Sequence, residues 1–197
     1  MVGICGIALA ACGGEETTSK ESAAPKETTA IESSVVEESV IAEQTENVIN
    51  ESEFGTLTNL GGVTNIDEMQ QSGPFNVTVQ EVQKGQLQPS ADYVEMMGGE
   101  DLAVISVKIS VENTNGDTNM IYPDQGTIVT DTKQQVDADM FLSDSVGGDF
   151  IGEVVKEGTI FFIFDGNAED VKSFQYVVGA GNDPNFSNFG EDLTFNF

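Results

Sequence analysis

The chain has 197 residues, 34 of them acidic and 7 basic, all seven being Lys, for a formal net charge of -27. Nucleic acid and anionic lipid surfaces both select for the opposite sign, so neither is an expected direct partner. His, Arg and Trp are absent, which removes the commonest general base, the commonest zinc ligand and the bidentate fork for phosphate.

The opening segment "MVGICGIALAAC" is short and apolar. A bilayer span needs about 20 such residues, whereas the apolar core of a secretory signal needs about 7–15. A signal of that kind ordinarily begins with Lys or Arg, and this stretch begins Met1-Val2-Gly3. Its end, Leu9-Ala10-Ala11-Cys12, resembles a bacterial lipobox. That resemblance implies a diacylglyceryl group on the Cys12 thiol and cleavage before it, so that residues 1–12 are a signal ending at the anchor. Two acyl chains satisfy the two-signal requirement for stable membrane attachment. The implied location is the extracellular face of a cell membrane. The second cysteine, Cys5, falls inside the apolar run, so no thiol or disulfide is expected in any folded part.

Residues 13–53 form a Glu-, Ser- and Thr-rich tract with no aromatic side chain, whereas all 12 Phe and all 3 Tyr fall from Phe54 onward. Too little apolar surface is available there to offset ordering entropy, so a disordered acidic tether is expected. As a coil it would reach about 35 Å, and like charges extend it further. Ile31, Val35, Val36, Val40, Ile41, Val48 and Ile49 fall loosely at helical spacing, although β-branched side chains weaken any such helix.

From residue 54 to 197 the dominant signal is period-two alternation. "FNVTVQ" sets Phe75, Val77 and Val79 on one face. A short helix is compatible with the 87–98 stretch. "DLAVISVKISVEN" sets Ala103, Ile105, Val107, Ile109 and Val111 on one face, and the other runs from apolar (Leu102, Val104) to polar (Lys108, Ser110). Thr127–Thr130 and Gln135–Phe141 read as a hairpin about "DTKQ". "TIFFIF" (159–164) is continuously apolar, as expected of a central strand. "SFQYVV" and "DLTFNF" alternate again. About eight short strands separated by turn chemistry indicate an all-β, antiparallel sandwich.

Four stretches, "FNVTVQEV", "VISVKISVEN", "GTIVTDTKQQVDAD" and "EGTIFFIFDG", resemble the immunoglobulin-like, or telokin-like, domains of unknown function found in lipoproteins and secreted proteins of Gram-positive bacteria. Glu157-Gly158 stands where that group usually has Pro-Gly. The resemblance spans about residues 73–180 and implies an immunoglobulin-like β-sandwich at a cell surface, with no reaction and no catalytic residue to carry over.

Candidate chemistry is confined to acids. Asp137, Asp139, Asp144 and Asp149 could clamp a calcium ion, which favours several carboxylate and carbonyl oxygens. Their spacing matches no established calcium loop, so a solvated polar face on a very acidic chain is the favoured reading. "NTNGDTN" (113–119) imitates such a loop but lacks its Gly and terminal Glu, so an Asn-rich turn is the simpler reading. A carboxylate pair could also serve a small hydrolase, although no triad is available without His or Cys. Met96-Met97 and the pair Phe186 and Phe189 either plug an end of the sandwich or form an exposed recognition patch. The resulting expectation is a non-catalytic domain, without a required cofactor, that binds an envelope protein or an extracellular ligand; a calcium-dependent module is the alternative.

Overall fold

The computed structural model describes residues 49–197. Cys12, the opening apolar run and the tract up to residue 48 lie outside the described residues. Within 49–197 the alternating runs pair as antiparallel strands. β1 (Ile49–Ser52), β2 (Gly55–Ser72), β3 (Phe75–Pro89), β4 (Leu102–Asn113) and β9 (Val154–Asp165) form one sheet in the order β1-β2-β3-β4-β9. β6 (Thr127–Thr130), β7 (Gln135–Asp137), β10 (Phe174–Val178) and β11 (Leu193–Asn196) form a second, ordered β11-β10-β6-β7. β5 (Thr118–Ile121) pairs with β8 (Gly148–Ile151). A single helical turn, α1 (Val94–Met97), follows β3 and stops at Gly98, whose φ of 85° is left-handed.

The two larger sheets share one core. Ala103, Ile105, Val107, Ile109 and Val111 of β4 all point into it, as do Phe75, Val77 and Val79 of β3. Ile128, Tyr176, Val178 and Phe195 enter from the second sheet. Phe162 of β9 meets Tyr176 edge-on, with ring centroids 5.6 Å apart. Each Val, Ile or Phe among them contributes about 1.5–3 kcal/mol by leaving water. The sheets are also joined at a rim: the Gln70 side chain on β2 donates to the Thr194 carbonyl (2.5 Å) and accepts from the Thr194 N–H (3.0 Å), standing in for one rung of strand pairing.

Several sequence expectations change in detail. β1 starts ahead of Phe54, inside the stretch that composition assigns to the tether; it pairs with β2 from Ile49 opposite Thr58 to Ser52 opposite Gly55, where Ser52 Oγ also donates to the Gly55 carbonyl (3.2 Å). β2 is an 18-residue strand without an apolar rhythm, because its pairing with β3 shifts register at Asn59/Gly61 and again at Thr64/Glu68. The second irregularity holds Asn65 and Asp67 at positive φ and lets Ile66 between them pack on the core. The strand expected over Gln135–Phe141 ends at Asp137. Its continuation serves a different purpose, covering the free edge of β9.

That edge corrects the reading of "TIFFIF" as a central strand. Among the described residues β9 is the last strand of its sheet, with β4 as its one strand neighbour. Its outer backbone groups are met by a loop instead. Asp139 N–H donates to the Phe161 carbonyl (2.8 Å) and Asp144 N–H to the Thr159 carbonyl (2.9 Å). In return, Thr159 N–H donates to Asp144 Oδ2 (2.8 Å) and Phe161 N–H to Ser143 Oγ (2.9 Å). Side chains thus blunt an edge that would otherwise template pairing with another chain.

Tyr176 is the largest fully buried side chain, and its hydroxyl donates to the Pro123 carbonyl (2.7 Å). Burial, and then the nearby Asp124 carboxylate, push its phenol well above the ordinary 10.0. Asp124 Oδ2 accepts from Gly147 N–H (3.1 Å), an approach only glycine permits: a Cβ on residue 147 would lie 2.1 Å from Asp124 Oδ1. A phenol that keeps its proton when folded but releases it when unfolded loses stability as pH rises. The contribution is complete below pH 10 and declines above it until the folded value is reached. Denaturant midpoints measured from pH 9 to 12 are expected to show a steeper alkaline decline in the native chain than in Tyr176→Phe. The difference in slope is at most about 1.4 kcal/mol per pH unit; parallel curves would refute the assignment.

Candidate functional site

The outer face of the five-stranded sheet carries the main exposed apolar recess. Its floor depends on a β-bulge in β3. Val79 pairs with Ile109, but Glu81 pairs with Lys108, so one residue of β3 is extra. Because side chains alternate with period two, this inserted residue reverses the faces beyond it. Val82 therefore points into the core, and Leu87 points outward. There Leu87 joins Leu102 and Val104 of β4, with Leu57, Phe161 and Ile163 packed against them. The apolar start of the second face of β4 and the double-sided run in β9 are thereby both explained.

Three segments rise over this floor. At the β1–β2 turn, Phe54 meets Tyr93 edge-on with centroids 5.0 Å apart, and Ser90 N–H donates to the Phe54 carbonyl (3.0 Å). α1 lays Met97 on the floor and leaves Met96 exposed. The third wall is the turn after Asp139, whose carboxylate accepts from the N–H groups of Phe141 and Leu142, both at 2.9 Å. That cap fixes the turn and leaves Phe141 97% exposed. Between the walls lies a groove of about 520 Å³ bounded by Phe54, Tyr93, Met96, Phe141 and Ile163. It is continuous, through Phe54, Met97, Leu142 and Ile163, with a recess of about 230 Å³ above Leu57, Leu87 and Phe161. These volumes suit a few large apolar side chains or a small apolar ligand. Farther along the face the floor turns polar, with Asn59, Gln83, Ser106, Lys108 and Thr159. Asn59 Nδ2 donates to Gln83 Oε1 (2.8 Å), and Gln83 Nε2 donates to Glu81 Oε1.

The residues singled out by sequence fall in several places. Asp137 accepts from Thr127 Oγ1 (2.7 Å) at the end of β7. Asp139 caps its own turn, and Asp144 covers the β9 edge. Asp149 lies in β8 opposite Met120. Among the described residues no group of three or more acidic side chains converges in a form that could hold a metal ion. The "NTNGDTN" loop is held by amides. Asn113 and Asn119 are both buried, with Asn113 Nδ2 directed at loop carbonyls and Asn113 Oδ1 accepting from Asn119 (3.3 Å).

Phe186 and Phe189 do not form one patch. Phe189 packs on the core against Phe75, with centroids 6.4 Å apart. Phe186 is 77% exposed, at a φ of 61°. Its turn is held by Asp183, which accepts from Ser187 N–H (2.9 Å) and Asn185 N–H (2.8 Å). The Ser187 bond is the leading reason that the Asp183 carboxyl titrates below its usual range. Met96-Met97 lie on the outer sheet face and not at an end of the sandwich. The groove as a unit is not legible in the sequence. Leu102, Val104, Phe161 and Ile163 were visible as apolar on a second face, but only the bulge shows that Leu87 joins them.

No protein-family model matches the chain. A putative lipoprotein, ycdA, of Bacillus subtilis subsp. subtilis str. 168 aligns with a TM-score of 0.47 and 16% identity, over 68% of this chain and 38% of that one. A functionally unknown protein from Listeria monocytogenes EGD-e aligns with a TM-score of 0.56 and 17% identity, over 73% of this chain and 87% of that one, a likeness of fold. In sequence, the chain is 28% identical over 132 residues to the SPbeta prophage-derived uncharacterized lipoprotein YonS of Bacillus subtilis (strain 168). That match covers 66% of this chain and 57% of YonS, so the chain spans less than two thirds of its relative's length.

Proposed function

We propose that this chain is a lipoprotein anchored through Cys12 at the extracellular face of a Gram-positive cell membrane, where an immunoglobulin-like β-sandwich binds a partner without catalysis. The observation that carries the location is the stretch Leu9-Ala10-Ala11-Cys12, which resembles a lipobox, in a chain similar to a lipoprotein. No helix among the described residues is long and apolar enough to cross a membrane, and attachment by lipid requires none. The apolar groove on the outer sheet face supports binding as the role of the domain: it exposes large side chains that a chain without a partner gains nothing by leaving in water.

The location is tested on the anchor. In a Gram-positive host, the native chain is expected in the membrane and detergent-rich fractions and accessible to protease added to intact cells. Cys12→Ala is expected to lose most of that membrane fraction, because without the two acyl chains little holds the protein there. Equal membrane retention of the variant would refute lipid anchoring at Cys12.

A further inference from the structure

The three segments that wall the groove carry acids and no base. The β1–β2 turn holds Glu53, the stretch before and within α1 holds Asp92 and Glu95, and the turn beyond β7 holds Asp139 and Asp144. No Lys occurs in residues 49–54, 90–98 or 138–145. All of these acids except Asp139 are exposed. Among them stand Phe141 and, 69% exposed, Met96, with Met97 between them and the floor. Methionine is unbranched and its thioether polarizable, so a Met-walled groove adapts to apolar side chains of different shape.

We propose that this groove docks a basic amphipathic segment of a partner protein. Apolar side chains of the segment enter between Phe54, Met96 and Phe141, and Lys or Arg side chains on its other face meet Glu53, Asp92 and Glu95. The inference rests on the reading of the groove as the domain's binding surface and names the partner's chemistry. A second copy of the chain is the wrong complement, because it would set the same acids against one another on molecules of net charge -27. A fatty acid would likewise bring a negative head group to a negative rim. A basic amphipathic peptide satisfies both the apolar floor and the charged rim, in the manner of helix-in-groove recognition.

The native chain contains no Trp, so a single Trp on a probe peptide reports its environment without interference. The probe is a synthetic Lys/Leu amphipathic peptide of about 18 residues, or five helical turns, with Trp on its apolar face. A Glu/Leu peptide and a Lys/Ser peptide of the same pattern accompany it. With the full chain, the Lys/Leu probe is expected to shift its emission to the blue and to bind at least about tenfold more tightly than either companion. Raising salt from about 50 to about 300 mM should weaken it. The double substitution M96S/F141S, at two exposed positions, should weaken it by about tenfold or more with an unchanged melting midpoint. Binding of the Lys/Leu probe that is indifferent to M96S/F141S would mean attraction spread over the acidic chain, and would overturn the groove as the site along with its proposed partner. Groove-dependent binding of the Glu/Leu peptide as tight as that of the Lys/Leu peptide would overturn the basic partner alone. A dimer in sedimentation that M96S/F141S dissolves would place a second copy in the groove and overturn the proposal as well.

Discussion

Phe75→Ala is expected to destabilise the domain by about 3–5 kcal/mol, the range for removing a buried aromatic ring without full collapse of the space it leaves. Phe75 opens β3 with no solvent exposure. It meets Phe150 of β8 edge-on at 5.2 Å and Phe189 of the late loop at 6.4 Å. One ring therefore joins the large sheet, the small β5–β8 pair and the segment before β11. The surrounding backbone has little freedom to close on a cavity. Gly181 N–H donates to Ser72 Oγ (2.9 Å), and Asn182 and Met120 exchange backbone bonds in both directions. Gly181 already lies so close that a Cβ there would be 2.6 Å from the Phe75 ring. Urea unfolding measures the effect as a fall in midpoint at constant slope. Phe186→Ala, at an exposed position, serves as the contrast and is expected to change stability by no more than about 0.5 kcal/mol. A loss below about 1.5 kcal/mol for Phe75→Ala would show that the three parts are not mechanically joined there.

Asn113→Ala is expected to cost about 2–3 kcal/mol, more than a turn residue in an acidic loop would suggest, because it removes a buried amide that donates to three carbonyls and leaves the buried Asn119 amide with one acceptor fewer. The Asn113 side-chain amide donates to the carbonyls of Gly152 (2.8 Å), Asp117 (2.9 Å) and Asn115 (3.3 Å). It thereby ties the end of β4 to both the following turn and the turn before β9. Asn119 completes the arrangement, donating to Asn115 Oδ1 (2.9 Å). Asn113→Asp keeps the shape but replaces the donor with a carboxylate facing carbonyl oxygens, so its loss at neutral pH should be at least as large. The comparison of the two variants by thermal unfolding separates hydrogen bonding from packing. Near-native stability of Asn113→Asp would refute the role of the amide.

Much of the fold was legible because buried strands announce themselves. β4 is paired on both sides, so its inward residues had to be apolar at every second position, and Ala103 to Val111 are. β3 was legible as far as Val79. β2 was not, since a strand near a sheet edge with two irregularities carries no rhythm, and its residues "TNLGGVTNIDEMQQ" are mostly polar. The hairpin strand expected to reach Phe141 was overextended: Asp139 and Asp144 look like continued polar alternation, yet they are spent on a turn cap and on the edge of β9. The candidate site was legible only in fragments. Apolar residues on the second faces of β4 and β9 were plain, but Met96-Met97 and Phe186 with Phe189 read alike as apolar groups in polar surroundings, and only their packing separates an exposed Phe186 from a core-bound Phe189.

By itself, the sequence determined the class of the domain, the face of β4 that is buried, the sign of the surface and the motif at Cys12, because composition and alternation are local properties of a chain. Only the tertiary structure decided which sheet edge needs covering, which asparagine organises the loop after β4, and which side of the sheet Leu87 occupies. The last of these rests on one extra residue in β3: a strand's faces are defined by pairing with its neighbours, and a single inserted residue exchanges them for every position that follows.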